Sequence, residues 1–152
     1  MPNIINAEHG TSTALTITLA SLASGSARQS TMVDNTDNAQ IIRVYFDVTT
    51  GTSPTNNRAI NFYIISGDDA STSNIRTDNA GASDAAITID AAPLAYSVAT
   101  DATSDKHYRG SFLIRNPGPE WGIAVHHNTG VNLNSTGSNH ELRYVTENQE
   151  VQ

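Results

Sequence analysis

Apolar residues in this chain recur at every second position, and that period is the strongest limit on its fold. Successive side chains of a strand leave on opposite faces, whereas a helix repeats about every 3.6 residues. In Ala14 to Leu19, the residues Leu15, Ile17 and Leu19 share one face, and Thr16 and Thr18 take the other. In Ile41 to Val48 the inward set is Ile42, Val44, Phe46 and Val48; in Ala59 to Ile65 it is Ile60, Phe62 and Ile64. Arg28 to Val33, Ala86 to Ile89, Ala95 to Ala99, His107 to Arg115, Trp121 to His127 and Glu141 to Thr146 continue the series. Strong helix formers other than Ala are sparse, and Thr, Ser and Asn favour turns and strands. The expected fold is all-β: an antiparallel β-sandwich of jelly-roll type with about eight strands.

The 152 residues suit one domain with its own core. Residues 1–152 are expected to form a single sandwich, with a polar N-terminal arm over about 1–12 and a tail over about 147–152. Without cysteine there is neither a disulfide framework nor a thiolate metal site. Charged residues are 15% of the chain, against about 25% in an ordinary domain, and the net charge is −7. Nucleic acid is therefore not an expected partner, since phosphate binding needs clustered cations and the basic residues are spread from Arg28 to Arg143. The start lacks the basic and apolar regions of a signal peptide, and no window reaches the ~18 apolar residues of a membrane span, so no membrane partner is expected.

Two hairpins follow from side-chain parity, because residues opposed across an antiparallel pair point the same way. The first would join Ile41–Val48 to Ala59–Ile65, setting Val48 against Ile60, Phe46 against Phe62 and Val44 against Ile64. The second would join His107–Arg115 to Trp121–His127 through Asn116-Pro117-Gly118-Pro119, a turn by its prolines, with Arg115 facing Glu120. Gly67 to Asp84 is small and polar and reads as a long surface excursion.

Chemistry-bearing motifs are sparse. His126 and His127 are adjacent in a strand, so their rings diverge, while His9, His107 and His140 lack a local partner at ligand spacing. The Asp-rich segments at Asp34–Asp37, Asp68-Asp69 and Asp101–Asp105 lack the full calcium-loop pattern and suit turns that bond their own backbone. No Gly-x-Ser-x-Gly elbow is present, and no carboxylate pair stands out. Trp121 shares the face of Ile123 and Val125, which favours a core role over a sugar platform. The chain is expected to be neither an enzyme nor a cofactor or metal binder. What the pattern does flag is outward apolar surface. In the first hairpin's register Ile41, Tyr45, Tyr63 and Ile65 are left outside as one stripe, either an interface or a surface covered by the 67–84 excursion or the N-terminal arm. His107, Arg109, Leu113 and Ala124 form a milder patch on the second hairpin.

Several strings carry a resemblance: Ser21 to Ser30, Val33-Asp34-Asn35-Thr36, the loop Thr50 to Ile60, Pro119 to Val125 and Gly137 to Glu141. As a set they resemble small virion proteins of tailed bacteriophages, over most of the chain. Within that group, capsid decoration (cement) proteins of this size are often jelly-roll sandwiches that assemble as trimers or dimers outside the shell. The resemblance implies a protein made in the host cytoplasm that binds the outer surface of the capsid. Its partners would be the major capsid protein and further copies of itself, a homotrimer being favoured over a homodimer. Many weak identical sites then add up to strong attachment. The other reading of the sequence is a tail-tip or fibre-associated module that contacts host-surface glycan.

Overall fold

The computed structural model describes residues 5–70, 74–78, 80–86 and 90–151. In chain order the strands are β1 (Ile5–His9), β2 (Thr13–Ala14), β3 (Ser26–Gln29), β4 (Val33–Asp34), β5 (Ile41–Thr49) and β6 (Arg58–Gly67), then β7 (Ala85–Ala86), β8 (Leu94–Thr100), β9 (His107–Arg115), β10 (Glu120–His127) and β11 (Glu141–Val151). One short 3-10 turn, Gly137–Asn139, precedes β11. Among the described residues no helix is long and apolar enough to cross a membrane.

The strands form two antiparallel sheets. The first runs β1-β11-β5-β9, with β2 also on β11; the second runs β7-β3-β10-β6-β8, with β4 also on β10. Four nested pairs define the topology. β2 lies on β11, β3 on β10, β5 on β9 and β6 on β8, so the chain behaves as one long hairpin rolled into two layers. The pairings β11–β5 and β10–β6 then complete the two sheets. This is a jelly roll, and its eight principal strands match the number expected from the alternation. β1, β4 and β7 are additions at the edges.

Burial follows the period of two. Ile42, Val44 and Val48 are fully buried from the first sheet, and Ile60, Phe62, Ile123 and Val125 from the second. Each such aliphatic or aromatic side chain contributes about 1.5–3 kcal/mol relative to exposure. Leu15 and Leu19 are buried as the alternation requires, although strand pairing there is limited to Thr13–Ala14. The expected strand over Arg28 to Val33 is split into β3 and β4. Of the expected strand Ala86 to Ile89, Ala86 closes β7, and residues 87–89 lie outside the described residues.

Neither expected hairpin forms. β5 pairs with β9 and β11, while β6 pairs with β10 and β8, so the connection from Thr50 to Asn57 crosses from one sheet to the other. Phe46 and Phe62 do meet, with ring centroids 4.5 Å apart, but across the interior and not along a ladder. β9 and β10 likewise belong to different sheets. Stacked sheets lie only about 10 Å apart, a gap that a few residues can bridge. Asn116 (φ 51°) and Gly118 (φ 85°) supply the reversal, and the Asn35 amide donates to the Gly118 carbonyl at 3.1 Å. Arg115 consequently does not meet Glu120, whose carboxylate is held by Arg76 instead.

The two terminal segments are not separate arms. β1 pairs with residues 147–151 of β11, Ile5 opposite Val151 and His9 opposite Glu147, extending the first sheet as a two-stranded ribbon. At the other end of the second sheet, His127 is fully buried. Its Nε2–H donates to the Leu22 carbonyl at 2.9 Å, and Nδ1 lies 3.0 Å from Thr129 Oγ1. Burial lowers its pKa to about 4, so the ring is neutral at pH 7.

Candidate docking face

The pairing of β9, β5 and β11 turns separate outward residues into a grid. Reading across the three strands, the rows are Arg109–Asp47–Glu141, Ser111–Tyr45–Arg143, Leu113–Arg43–Val145 and Arg115–Ile41–Glu147. All twelve project from the outer face of the first sheet, because their inward neighbours on the same strands form the core. Tyr45 stands at the centre with 45% of its surface exposed. Around it lies an open depression of about 470 Å³, lined by Tyr45, Asp47, Arg109, Ser111, Glu141 and Arg143.

Ion pairs hold the polar side chains in place. Asp47 accepts from Arg109 Nε at 2.7 Å through one oxygen, and its other oxygen lies 2.7 Å from His107 Nδ1. Arg143 donates from Nη1 to Glu141 at 2.9 Å and from Nε to Ser12 Oγ at 2.9 Å, tying the segment before β2 to the grid. Arg43 donates to Glu147 at 2.9 Å. Among the described residues Arg115 pairs with no carboxylate. Exposed pairs of this kind contribute little to stability, about 0–1 kcal/mol each. Their effect here is to keep long side chains extended over the sheet, which lowers the entropy lost when a partner arrives.

Charge on this face departs from that of the chain. Four of the eight basic residues lie in the grid against Asp47, Glu141 and Glu147, whereas the rest of the chain sets twelve carboxylates against four basic residues. Sequence order spreads these arginines over a hundred positions. Alternation alone places each of them outward, but only the β9–β5–β11 pairing makes them neighbours.

The outer face of the second sheet is different, because the chain covers it. Ile65 and Ala124 are fully buried there against Ala92, with Met32, Tyr63 and Ala80 packed around them. Glu120 clasps the covering segment. Its carboxylate accepts from Arg76 Nη2 at 2.8 Å and from the Asn74 amide at 2.8 Å. Burial by itself would raise the pKa of Glu120, but the Arg76 and Asn74 bonds outweigh it and hold the group below the ordinary carboxylate value. Gln29 accepts from the Ala80 amide at 3.0 Å, and Asp78 accepts from the amides of Asp90, Ala91 and Ala92.

The stripe expected from Ile41, Tyr45, Tyr63 and Ile65 is therefore split. Tyr45 and half-buried Ile41 belong to the open face; half-buried Tyr63 and fully buried Ile65 lie on the covered one. The cause is the sheet assignment of β5 and β6, which puts their outer surfaces on opposite sides of the molecule. Of the milder patch, His107, Arg109 and Leu113 join the open face, while Ala124 is buried under the cover. Trp121 is 1% exposed and meets Tyr144 edge-on at 5.1 Å, a core position. The Asp-rich loops show turn chemistry: Asp68 accepts from the amides of Ala70 and Ile75, and Asp101 from that of Thr103. His140 bridges the Thr49 amide and the Asn134 carbonyl.

No family model matches this chain, and no curated protein matches it.

Proposed function

We propose that this chain is a structural virion protein that decorates and stabilises the capsid of a tailed bacteriophage, with the β9–β5–β11 face laid on the outer shell. One observation carries the reading: the chain covers the outer face of one sheet with its own residues and leaves the other open around a half-exposed tyrosine. An open face with an aromatic centre and arginines about it has the composition of a binding hot spot. The surplus of arginine over carboxylate there favours a partner surface rich in carboxylates, the major capsid protein in this reading. The resemblance of the Ser21–Ser30, Thr50–Ile60 and Pro119–Val125 strings to phage virion proteins supports the same placement. Assembly as a homo-oligomer, a trimer in this reading, multiplies modest contacts into firm attachment. A shell whose neighbouring subunits are bridged in this way resists separation by the added binding free energy.

The test is co-sedimentation of the purified protein with phage shells stripped of decoration. Tyr45→Ala should weaken binding about 30-fold, the equivalent of losing a hot spot of about 2 kcal/mol. Tyr45 is exposed, so the fold should tolerate the change. Ile75→Ser, at a 72% exposed position in the segment over the second sheet, should bind as the parent does. Wild-type binding by the Tyr45 variant would overturn the assignment of this face.

A further inference from the structure

The edge of a sheet presents backbone donors and acceptors that can take a further strand, and chains ordinarily blunt it with charge, brevity or cover. The first sheet ends in β9, which carries His107, Arg109 and Arg115, and in β1, which carries Glu8 and His9. The second ends in β7, two residues long, and in β8. β8 spans seven residues, and among the described residues no strand pairs with its far side. Between Asp90 and Asp101 the sequence has no charged residue, although the chain carries −7 overall.

Apolar surface gathers along the same edge. Leu94 is 54% exposed and Tyr96 38%, two of the four large apolar side chains exposed among the described residues. Tyr96 nevertheless belongs to the interior side. It lies opposite Phe62 of β6, and its ring stacks on that of Phe112 of β9 at 6.0 Å with 9° between the planes. The aromatic cluster of the core thus reaches solvent between the β8 and β9 edges. The ladder of β8 with β6 is irregular at Ala95, which has no residue opposite it, and regular from Tyr96 to Thr100. A bulge turns the strand locally, so these last residues are the part open to a new partner.

We infer that β8 pairs antiparallel with β8 of a second copy, about a two-fold axis at Val98. The stretch is self-complementary: Val98 meets Val98, Ser97 meets Ala99, and Tyr96 meets Thr100 of the other copy, each pair pointing to one side of the joined sheet. Copies of an acidic chain repel one another, and this uncharged edge brings no like charges into contact. The β9–β5–β11 face differs, since its arginines select an acidic partner. The unit is then a dimer, in place of the trimer of the capsid reading, and it depends on no other part of that reading.

Sedimentation velocity of the full-length protein should show a species of twice the 16.2 kDa chain mass, with a dimer Kd of micromolar order. Ala99→Lys, at an exposed position, sets a charge on the edge and should raise that Kd about tenfold or more while keeping the circular dichroism of a β-sheet protein. Tyr45→Ala, on the other face, should dimerise as the parent does. The chain has no cysteine, so Val98→Cys supplies a single thiol. Residues opposed across an antiparallel pair lie about 4.5–5.5 Å apart at Cα, within disulfide reach, so mild oxidation should link the two copies. A monomer or a trimer at every concentration would overturn the inference. So would an Ala99→Lys dimer of parental affinity, or a Val98→Cys dimer that does not cross-link. A monomer or trimer that still sediments with stripped shells would sink the β8 pairing alone and leave the capsid reading standing.

Discussion

Replacing Gly110 by valine is expected to destabilise the fold by about 3 kcal/mol, the top of the range for overpacked cores. Gly110 lies in β9 opposite Phe46 of β5, on the inward side of the pair. A β-carbon there would stand 2.8 Å from Phe46 Cζ and 2.9 Å from Cε1, closer than carbon atoms approach in folded proteins. The Phe46 ring is surrounded by other aromatic rings. It packs against Phe62 at 4.5 Å, Tyr96 at 5.6 Å and Phe112 at 6.3 Å between centroids. Strand propensity argues the other way, since valine is favoured over glycine in strands, so the sign of the result decides between packing and propensity. Thermal unfolding should show a midpoint lowered by roughly 6–12 °C. Adding Phe46→Leu to Gly110→Val should recover part of the loss, because a smaller side chain vacates the space. A Gly110→Val protein as stable as the parent would mean that the aromatic cluster is not packed as described.

Glu120→Ala should cost roughly 2 kcal/mol and uncover the second sheet. Breaking a buried ion pair commonly costs about 3–5 kcal/mol, but Arg76 is one-third exposed and can return to water, which lowers the figure. The loss has a defined pH dependence. Because the folded pKa of Glu120 lies below its ordinary value of 4.5, the clasp stabilises fully above that value. Its contribution fades as the pH falls through the lower folded value. Denaturation curves of parent and variant should thus differ most near neutrality and converge in acid. His127 weakens both proteins alike between about pH 6.5 and 4, since its folded pKa is lowered to about 4, and so it cancels from the comparison. Loss of the clasp should also expose Ile65 and Ala124, read as binding of a hydrophobic dye and protease cleavage between Gly67 and Ala92. A constant difference between the two proteins across the whole pH range would remove Glu120 from the role of clasp.

What alternation could reveal, it revealed. The inward residues of β5 and β10 were legible because a period of two fixes which side chains share a face, whatever strand lies alongside. It does not say which strand that is. The four residues after Arg115 could have returned within one sheet or crossed to the other, and both choices keep Ile114 and Trp121 inside. Phe46 and Phe62 show the ambiguity: the contact was foreseeable, the layer was not. Parity turns Ile65 outward, yet it is buried, because Ala92 and Ala80 reach it from far along the chain. The Glu120–Arg76 clasp spans 44 positions without any periodic signal. The arginine grid needed both parity and pairing, and the sequence offered only the first. At the ends, polar segments that read as tails complete each other's backbone hydrogen bonds as β1 and the last residues of β11.

The central claim is that the face centred on Tyr45 docks on the capsid. A reconstruction of the decorated particle tests it most directly. The account predicts density for this jelly roll on the outer shell, with β9, β5 and β11 turned toward the capsid lattice and the β6 sheet with its covering segment toward solvent. Density confined to the tail, or copies on the shell with Tyr45 facing the medium, would contradict it.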